Sequence, residues 1–320
     1  MQRHEFSTSA DPCASSHSMR SLVKSLVEPF AAGLAWRARK RHVREGILVL
    51  AYHNIRPPGE RPTGEHSLHM PWRQFLDHLD VISAHADIVP LEDVCGSALE
   101  RSRLRIAVTF DDAYAGAVDW AIPELVQRGI PATVFVAPGL LDGQSSWWDQ
   151  MAETAGGTLS GQIRAHALGA LGGRQELIES WARANRVPWA IAMPAWATGS
   201  STAALAKAAL LPGISMGSHS WSHPNLGALP PSELDLQLRK PLDWLQSQGI
   251  PHGGALAYPY GLATEATIEA ASHAGYTCAF RVSGGFVPTP ARAHNLPRLN
   301  VPAGLTPAGL KLRLAGRLIA

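Results

Sequence analysis

From residue 47 onward, short apolar runs of β character alternate with segments whose apolar residues recur at helical spacing. This alternation constrains the fold most, because a strand with no solvent face must be covered by helices on both sides. The runs at 47–52, 105–110, 132–136 and 255–258 are nearly continuous in apolar, β-branched or aromatic residues and are bounded by turn formers, as expected of strands buried on both faces. Between them, 71–85, 117–128, 231–248 and 264–274 read as amphipathic helices, several opened by Pro or Ser/Thr and closed by Gly. The pattern predicts an α/β fold, a parallel sheet or barrel wrapped by helices, over residues 47–303. Residues 140–212 break the rhythm. Rich in Gly, Ala and Ser, and holding Trp147, Trp148, Trp181, Trp189 and Trp196, they read as a helical insertion, a lid or an added wall. No internal repeat at a fixed period is visible.

A chain of 320 residues with 46% hydrophobic residues can bury a large core. Its net charge of +2, with no basic stripe interleaved with aromatics, argues against nucleic acid as a partner. The three cysteines, Cys13, Cys95 and Cys278, are odd in number and far apart. They suggest neither a disulfide framework nor a zinc cluster, and favour a reducing, cytoplasmic location. No run approaches the ~20 apolar residues of a membrane-spanning helix.

Residues 1–19 have a composition expected of disorder, and Met19 is an alternative start that the N-terminal mass of the native protein would check. Over 20–46, Leu22, Leu26, Phe30 and Leu34 keep helical spacing across Pro29, and Arg37, Arg39, Lys40, Arg41 and Arg44 follow. A peripheral helix touching anionic lipid through 20–44 is one reading, and an ordinary docking helix with a solvated basic end is the other. A secretory signal fits less well, because Glu28 and Gly33 interrupt the apolar run and the cations follow it. At the other end, 304–320 reads as a basic surface helix carrying Lys311, Arg313 and Arg317 that docks on the first one.

The chemistry is concentrated in a few places. His219 and His223 stand at i and i+4, so two imidazoles can converge on one ion, and the pair Asp111-Asp112 can add a carboxylate ligand and a base. Three protein ligands leave a position for water, which points to hydrolysis. His53, Asp111, Asp112, His219 and Tyr260 all fall at or just past the C-terminal ends of predicted strands, where barrels of parallel strands gather catalytic groups. Taken singly, the acidic pair could be an N-cap, the histidines hydrogen-bonded loop residues, and Pro259-Tyr260-Gly261 a simple turn.

Three motifs, Thr109-Phe110-Asp111-Asp112-Ala113-Tyr114, His219-Ser220-Trp221-Ser222-His223-Pro224-Asn225 and Ala257-Tyr258-Pro259-Tyr260-Gly261, in this order resemble the polysaccharide deacetylases of carbohydrate esterase family 4. The resemblance implies a distorted (β/α) barrel that removes acetyl groups from N-acetylated sugars by metal-assisted hydrolysis, with Zn²⁺ as the usual ion and Co²⁺ or Ni²⁺ as substitutes. It implies Asp112, His219 and His223 as metal ligands, Asp111 as catalytic base and the backbone N–H of Tyr260 as oxyanion donor. Elementary chemistry agrees: an amide is a poor electrophile, and a divalent ion both polarises its carbonyl and lowers the pKa of bound water towards ~7.

The chain departs from the family pattern in places. Ala257 stands where many members have an arginine that orients the base, and no Leu-x-His motif follows to supply a general acid. Tyr52-His53-Asn54 is similar to the Tyr-His motif of the branch that acts on poly-N-acetylglucosamine, which implies His53 as general acid, with His294 a weaker rival. Arg298, in a late strand similar to one of that branch, is assigned to fixing Asp111. Ala113 replaces the usual glycine after the acids. Trp147 and Trp148 are either a platform for sugar rings or helix packing, and Tyr258 is a further candidate for substrate contact. The reading is a metal-dependent deacetylase of N-acetylhexosamine units in a glycan. The alternatives are a catalytically silent glycan-binding barrel, or a hydrolase of another C–N or a glycosidic bond, the last of which would want two carboxylates flanking the bond.

Overall fold

The computed structural model describes residues 28–38, 46–95, 103–288 and 290–317. Its strands are β1 (Ile47–Tyr52), β2 (Asn54–Arg56), β3 (His69–Pro71), β4 (Asp87–Ile88), β5 (Arg105–Phe110), β6 (Ala132–Val136), β7 (Ile214–Ser218), β8 (His252–Ala257), β9 (Cys278–Arg281), β10 (Leu296–Pro297) and β11 (Leu299–Asn300). All but β2 and β3 form one parallel sheet in the order β10-β9-β8-β7-β6-β5-β1-β11, with β4 beside β5. The two ends of that order are consecutive in the chain and separated by Arg298 alone. One short stretch therefore pairs with β9 on one side and β1 on the other, and closes the sheet into a nearly complete barrel.

The apolar runs explain why this part of the chain is sheet. Every residue of β1 and β5 is buried, and the two pair in register from Ile47 with Arg105 to Tyr52 with Phe110. Fully burying a large apolar side chain is worth roughly 1.5–3 kcal/mol, so the registered pair is a major part of the core. Helices wrap it: Trp72–His85 buries Phe75, His78, Leu79 and Ile82, and Pro231–Ser247 buries Leu234, Leu238, Pro241 and Leu245, each set at three- and four-residue spacing. The predicted helix at 117–128 is a π-helical turn, Ala117–Ala121, running into the α-helix Ile122–Gln127.

Between β6 and β7, short helices at Trp147–Thr154, Gly161–Leu168, Gln175–Ala184 and Thr202–Ala208 form the insertion. Trp147, Trp148, Met151, Leu159 and Ile178 make a core of its own, against which Leu68 and Tyr260 of the barrel loops pack. It is a wall fused to the barrel mouth. At the C-terminus, Pro307–Leu314 buries Leu310, Leu312 and Leu314 and leaves Lys311 and Arg313 partly exposed. Its N-cap Thr306 donates to Glu28 at 2.5 Å, so it does meet the helix over 28–37. That helix buries Ala32 and leaves Phe30 and Leu34 exposed, while the basic run at 39–45 and residues 1–27 lie outside the described residues. No helix among the described residues is long and apolar enough to cross a membrane. Cys278 is disulfide-bonded, which removes the argument for a reducing compartment that the cysteine pattern offered.

Candidate metal centre and active site

The strand ends place the chemical groups around one cleft of about 370 Å³, lined by His53, Glu65, Asp111, Asp112, Trp148, Arg164, His219, His223 and Tyr260 among others. β5 ends at Phe110, and the Asp111 N–H still donates to the Tyr52 carbonyl at 2.9 Å. Asp112 and Ala113 then take positive φ values of 68° and 50°, turning the chain out of the sheet. Neighbouring acids that would point to opposite faces of a strand thus reach the same cleft. Ala113 bears that turn with a β-carbon, at a cost of roughly 1–2 kcal/mol that a glycine would avoid. Ser220, His223 and Tyr260 are left-handed too, at φ 64°, 58° and 59°, so backbone strain gathers where the chemical groups do.

His219 follows β7, its N–H donating to Val136 at 2.7 Å. Its Nδ1 donates to the Ala257 carbonyl at 2.7 Å, which leaves Nε2 with a free lone pair. The loop to His223 is braced by Gln237, whose Oε1 accepts from the N–H groups of Trp221 and Ser222, both at 3.0 Å, while its Nε2 donates to Ser222 Oγ at 2.9 Å. His223 Nε2 lies 3.1 Å from His219 Nε2 and 3.3 Å from Asp112 Oδ1, and His219 Nε2 is 3.6 Å from the same oxygen. Asp112, His219 and His223 are the one group among the described residues whose ligand atoms all lie within 4.8 Å of one another. Asp112 Oδ1 is buried without a hydrogen-bond partner. That orphaned oxygen between two imidazole lone pairs fits a divalent cation.

Asp111 is held differently. Arg298, fully buried at the barrel closure, donates through Nη1 to Oδ1 at 2.6 Å and through Nη2 to Oδ2 at 2.8 Å, and Nη1 also donates to Thr109 Oγ1 at 3.1 Å. Its guanidinium lies over the Phe135 ring, 5.1 Å from the centroid. Burial alone would raise the Asp111 pKa, but the Arg298 charge, followed by His219, outweighs it and keeps the carboxyl well below the usual range. Asp112 shifts the opposite way, raised by burial and then by the negative charges of Asp111 and Asp149. Burial also lowers His219, and it holds His223, which next feels His219, well below an ordinary imidazole. Neutral imidazole is the form that ligates metal. His53, half-buried in the cleft, is brought down to about 4 by burial, with Asp111 opposing.

The structure narrows three sequence expectations. Trp147 is 1% exposed and its Nε1 donates to Tyr260 Oη at 3.0 Å, so no sugar ring can stack on it. Trp148 lines the cleft but is 4% exposed, its Nε1 committed to Tyr114 Oη at 2.8 Å and its ring 4.8 Å from that of His223. Trp147 thus follows the packing reading of the two, while Trp148 packs likewise and keeps a place on the cleft wall. Tyr258 is fully buried, donating to the His294 carbonyl at 2.9 Å, and cannot touch substrate. His294 itself bonds the Tyr276 carbonyl and lines a separate hollow with Glu265 and Arg292 that shares no residue with the cleft. The sequence reading assigned no role to Glu65, His69, Asp149 or Gln237. Asp149 carried one signal, an acid directly after Trp147-Trp148 on a helix face that proves to be buried.

A family profile described as polysaccharide deacetylase matches residues 99–279, more than half of the chain. The chain belongs to the polysaccharide deacetylase family. No curated protein matches it. Among solved structures it is similar to the Streptococcus pyogenes deacetylase PplD in complex with acetate, at 17% identity and a TM-score of 0.59 over 85% of this chain and 99% of that one. IcaB from Ammonifex degensii gives 17% and 0.56 over 85% and 97%. A de-N-acetylase from Aggregatibacter actinomycetemcomitans gives 14% and 0.54 over 83% and 99%. At such identities the structures speak for the fold, the deacetylase type of (β/α) barrel, and the profile speaks for a hydrolase that deacetylates a polysaccharide.

Proposed function

We propose that the protein is a metal-dependent hydrolase removing N-acetyl groups from amino-sugar units of a polysaccharide or glycan precursor. One arrangement carries the reading: the unshared donors of Asp112, His219 and His223 converge beside a separate carboxylate, Asp111, that Arg298 holds in the same cleft. Two nitrogens and one oxygen suit a borderline divalent ion, Zn²⁺ first and Co²⁺ or Ni²⁺ as substitutes. When bound, such an ion polarises the amide carbonyl and lowers the pKa of water.

The chain's own residues handle the protons. Asp111 accepts the proton of the attacking water, and because Arg298 favours its ionised form it does not retain that proton. His53, with its pKa near 4, is neutral at pH 7 and free to take the proton up and deliver it to the leaving amine. The Tyr260 N–H is assigned to the developing oxyanion. The products are acetate and a free amino sugar.

The test is acetate release from N-acetylglucosamine oligomers by protein stripped with a chelator and then given Zn²⁺ or Co²⁺. Release is expected to vanish on stripping and to return with the ion. Undiminished release by the stripped protein overturns the reading, and ion binding without release from any N-acetylated glycan favours a silent glycan-binding barrel.

A further inference from the structure

The two imidazoles of the metal centre are steered by different means. His219 has the usual device, an Nδ1–H fixed by a backbone carbonyl. His223 lacks that device: its Nδ1 is buried and bonds no other residue. What faces its ring is aromatic, Trp148 with centroids 4.8 Å apart and planes at 53°, and Tyr260 at 4.5 Å and 79°, the two themselves in edge contact at 5.9 Å. The position of His223 therefore depends on what fixes Trp148.

A buried relay fixes it. Trp148 Nε1 donates to Tyr114 Oη at 2.8 Å, and Tyr114 Oη donates to Asp149 Oδ2 at 2.5 Å. Asp149 Oδ1 accepts from the Glu65 N–H at 2.8 Å and pairs with His69 Nε2 at 2.9 Å, and Asn54 Nδ2 donates to His69 Nδ1 at 2.9 Å. The Asn54 donation assigns the proton of His69 to Nε2, so Asp149 accepts from three donors, the pattern of a carboxylate. Asp149 and Asn54 are fully buried, Tyr114 is 1% exposed and His69 3%. Gly64 is shaped around the same group: at φ 66°, a β-carbon there would collide with Asp149 Oδ1. The relay ties the insertion to the loop after the catalytic acids and to β2 and β3, and a Tyr114–Gly199 bridge reinforces it.

We propose that Asp149, acting through Tyr114 and Trp148, is the positioning residue for His223 and replaces the hydrogen bond that this ligand lacks. The inference rests on the metal reading above. It also gives the insertion a function, since one of the three ligands is then oriented from outside the barrel.

The test uses the full chain as wild type, Asp149→Asn, Tyr114→Phe and Trp148→Phe. Zn²⁺ affinity is measured by competition with a chromophoric chelator, and the visible spectrum of the Co²⁺ form reports ligand geometry. Asp149→Asn is expected to weaken Zn²⁺ binding about 10- to 100-fold, the range for loss of a group that orients a ligand. Tyr114→Phe and Trp148→Phe are expected to weaken it several-fold and to change the Co²⁺ band, with far-ultraviolet circular dichroism and cooperative urea unfolding of the metal-free protein retained. A purely structural role would leave that band alone. Wild-type affinity and spectrum in Tyr114→Phe overturn the proposal, and this variant decides the matter if Asp149→Asn does not fold. A wild type that binds no divalent ion defeats the metal reading, and this inference with it.

Discussion

His219 and His223 are four residues apart and face the same point, yet they belong to different parts of the molecule. His219 is an extension of the barrel, placed by β7 and tied to Ala257 at the end of β8. His223 leans on the insertion through Trp148 and on the loop bearing Tyr260. The difference shows two routes to a rigid ligand: a hydrogen bond to a strand the fold already holds, or a ring wedged by neighbours that need their own anchors.

The comparison breaks most visibly in the paired alanine variants. Either His219→Ala or His223→Ala is expected to abolish ion binding and acetate release, but their folding stabilities should part. His219→Ala strands the buried Ala257 carbonyl, at a cost of about 1–3 kcal/mol. His223→Ala leaves no backbone carbonyl of another strand without its donor, so it escapes that cost. Urea unfolding of the metal-free proteins measures the gap, and equal destabilisation of the two would erase the distinction drawn here.

A smaller effect tests how far the barrel side acts alone. Asp111→Asn should lower turnover by about 10²- to 10⁴-fold, the usual worth of a positioned base, while calorimetry finds Zn²⁺ still bound. Loss of the ion in this variant would show that the base and the ligands are not separate sets.

The mildest prediction is a pH dependence confined to the barrel. His53 and His78 both have folded pKa values lowered to about 4 by burial. Between the unfolded value near 6.5 and about 4, the unfolded chain binds more protons than the folded one, so stability should fall as pH drops through that window and level off below it. His53→Gln is expected to flatten part of that slope in thermal melts of the metal-free protein. In the wild type, acetate release should decline only as pH falls towards 4, without a loss between 6 and 8 attributable to His53. A sharp decline as pH rises across 6–7, removed by His53→Gln, would mean that His53 works from its protonated form.

Much of the barrel was legible because its strands are long enough to carry composition. The runs at 47–52, 105–110 and 132–136 coincide with β1, β5 and β6, and the helical segments at 71–85, 231–248 and 264–274 fall on Trp72–His85, Pro231–Ser247 and Glu265–His273. The closing strands were not readable in this way, since β10 and β11 have two residues each and no period can be seen in two residues. Arg298 was singled out by resemblance alone. Of the candidate site, Asp111, Asp112, His219 and His53 were visible as strand-end residues of chemical type and His223 as the i+4 partner of His219, and the structure brings them to one cleft. The tryptophans stayed open between platform and packing because burial depends on their acceptors: Trp148 meets Tyr114 and Trp147 meets Tyr260, 34 and 113 positions away. The Asp149 relay was invisible for the same reason, joining residues that no local pattern relates.

Arg298 lies in the segment that seals the sheet, and its guanidinium is also the tether of Asp111. During synthesis, Asp112, His219 and His223 leave the ribosome long before residue 298 does. A growing or C-terminally clipped chain therefore carries the proposed ligand set while Asp111 still lacks its tether. On the function proposed above, hydrolytic competence arrives last, with the final stave of the barrel.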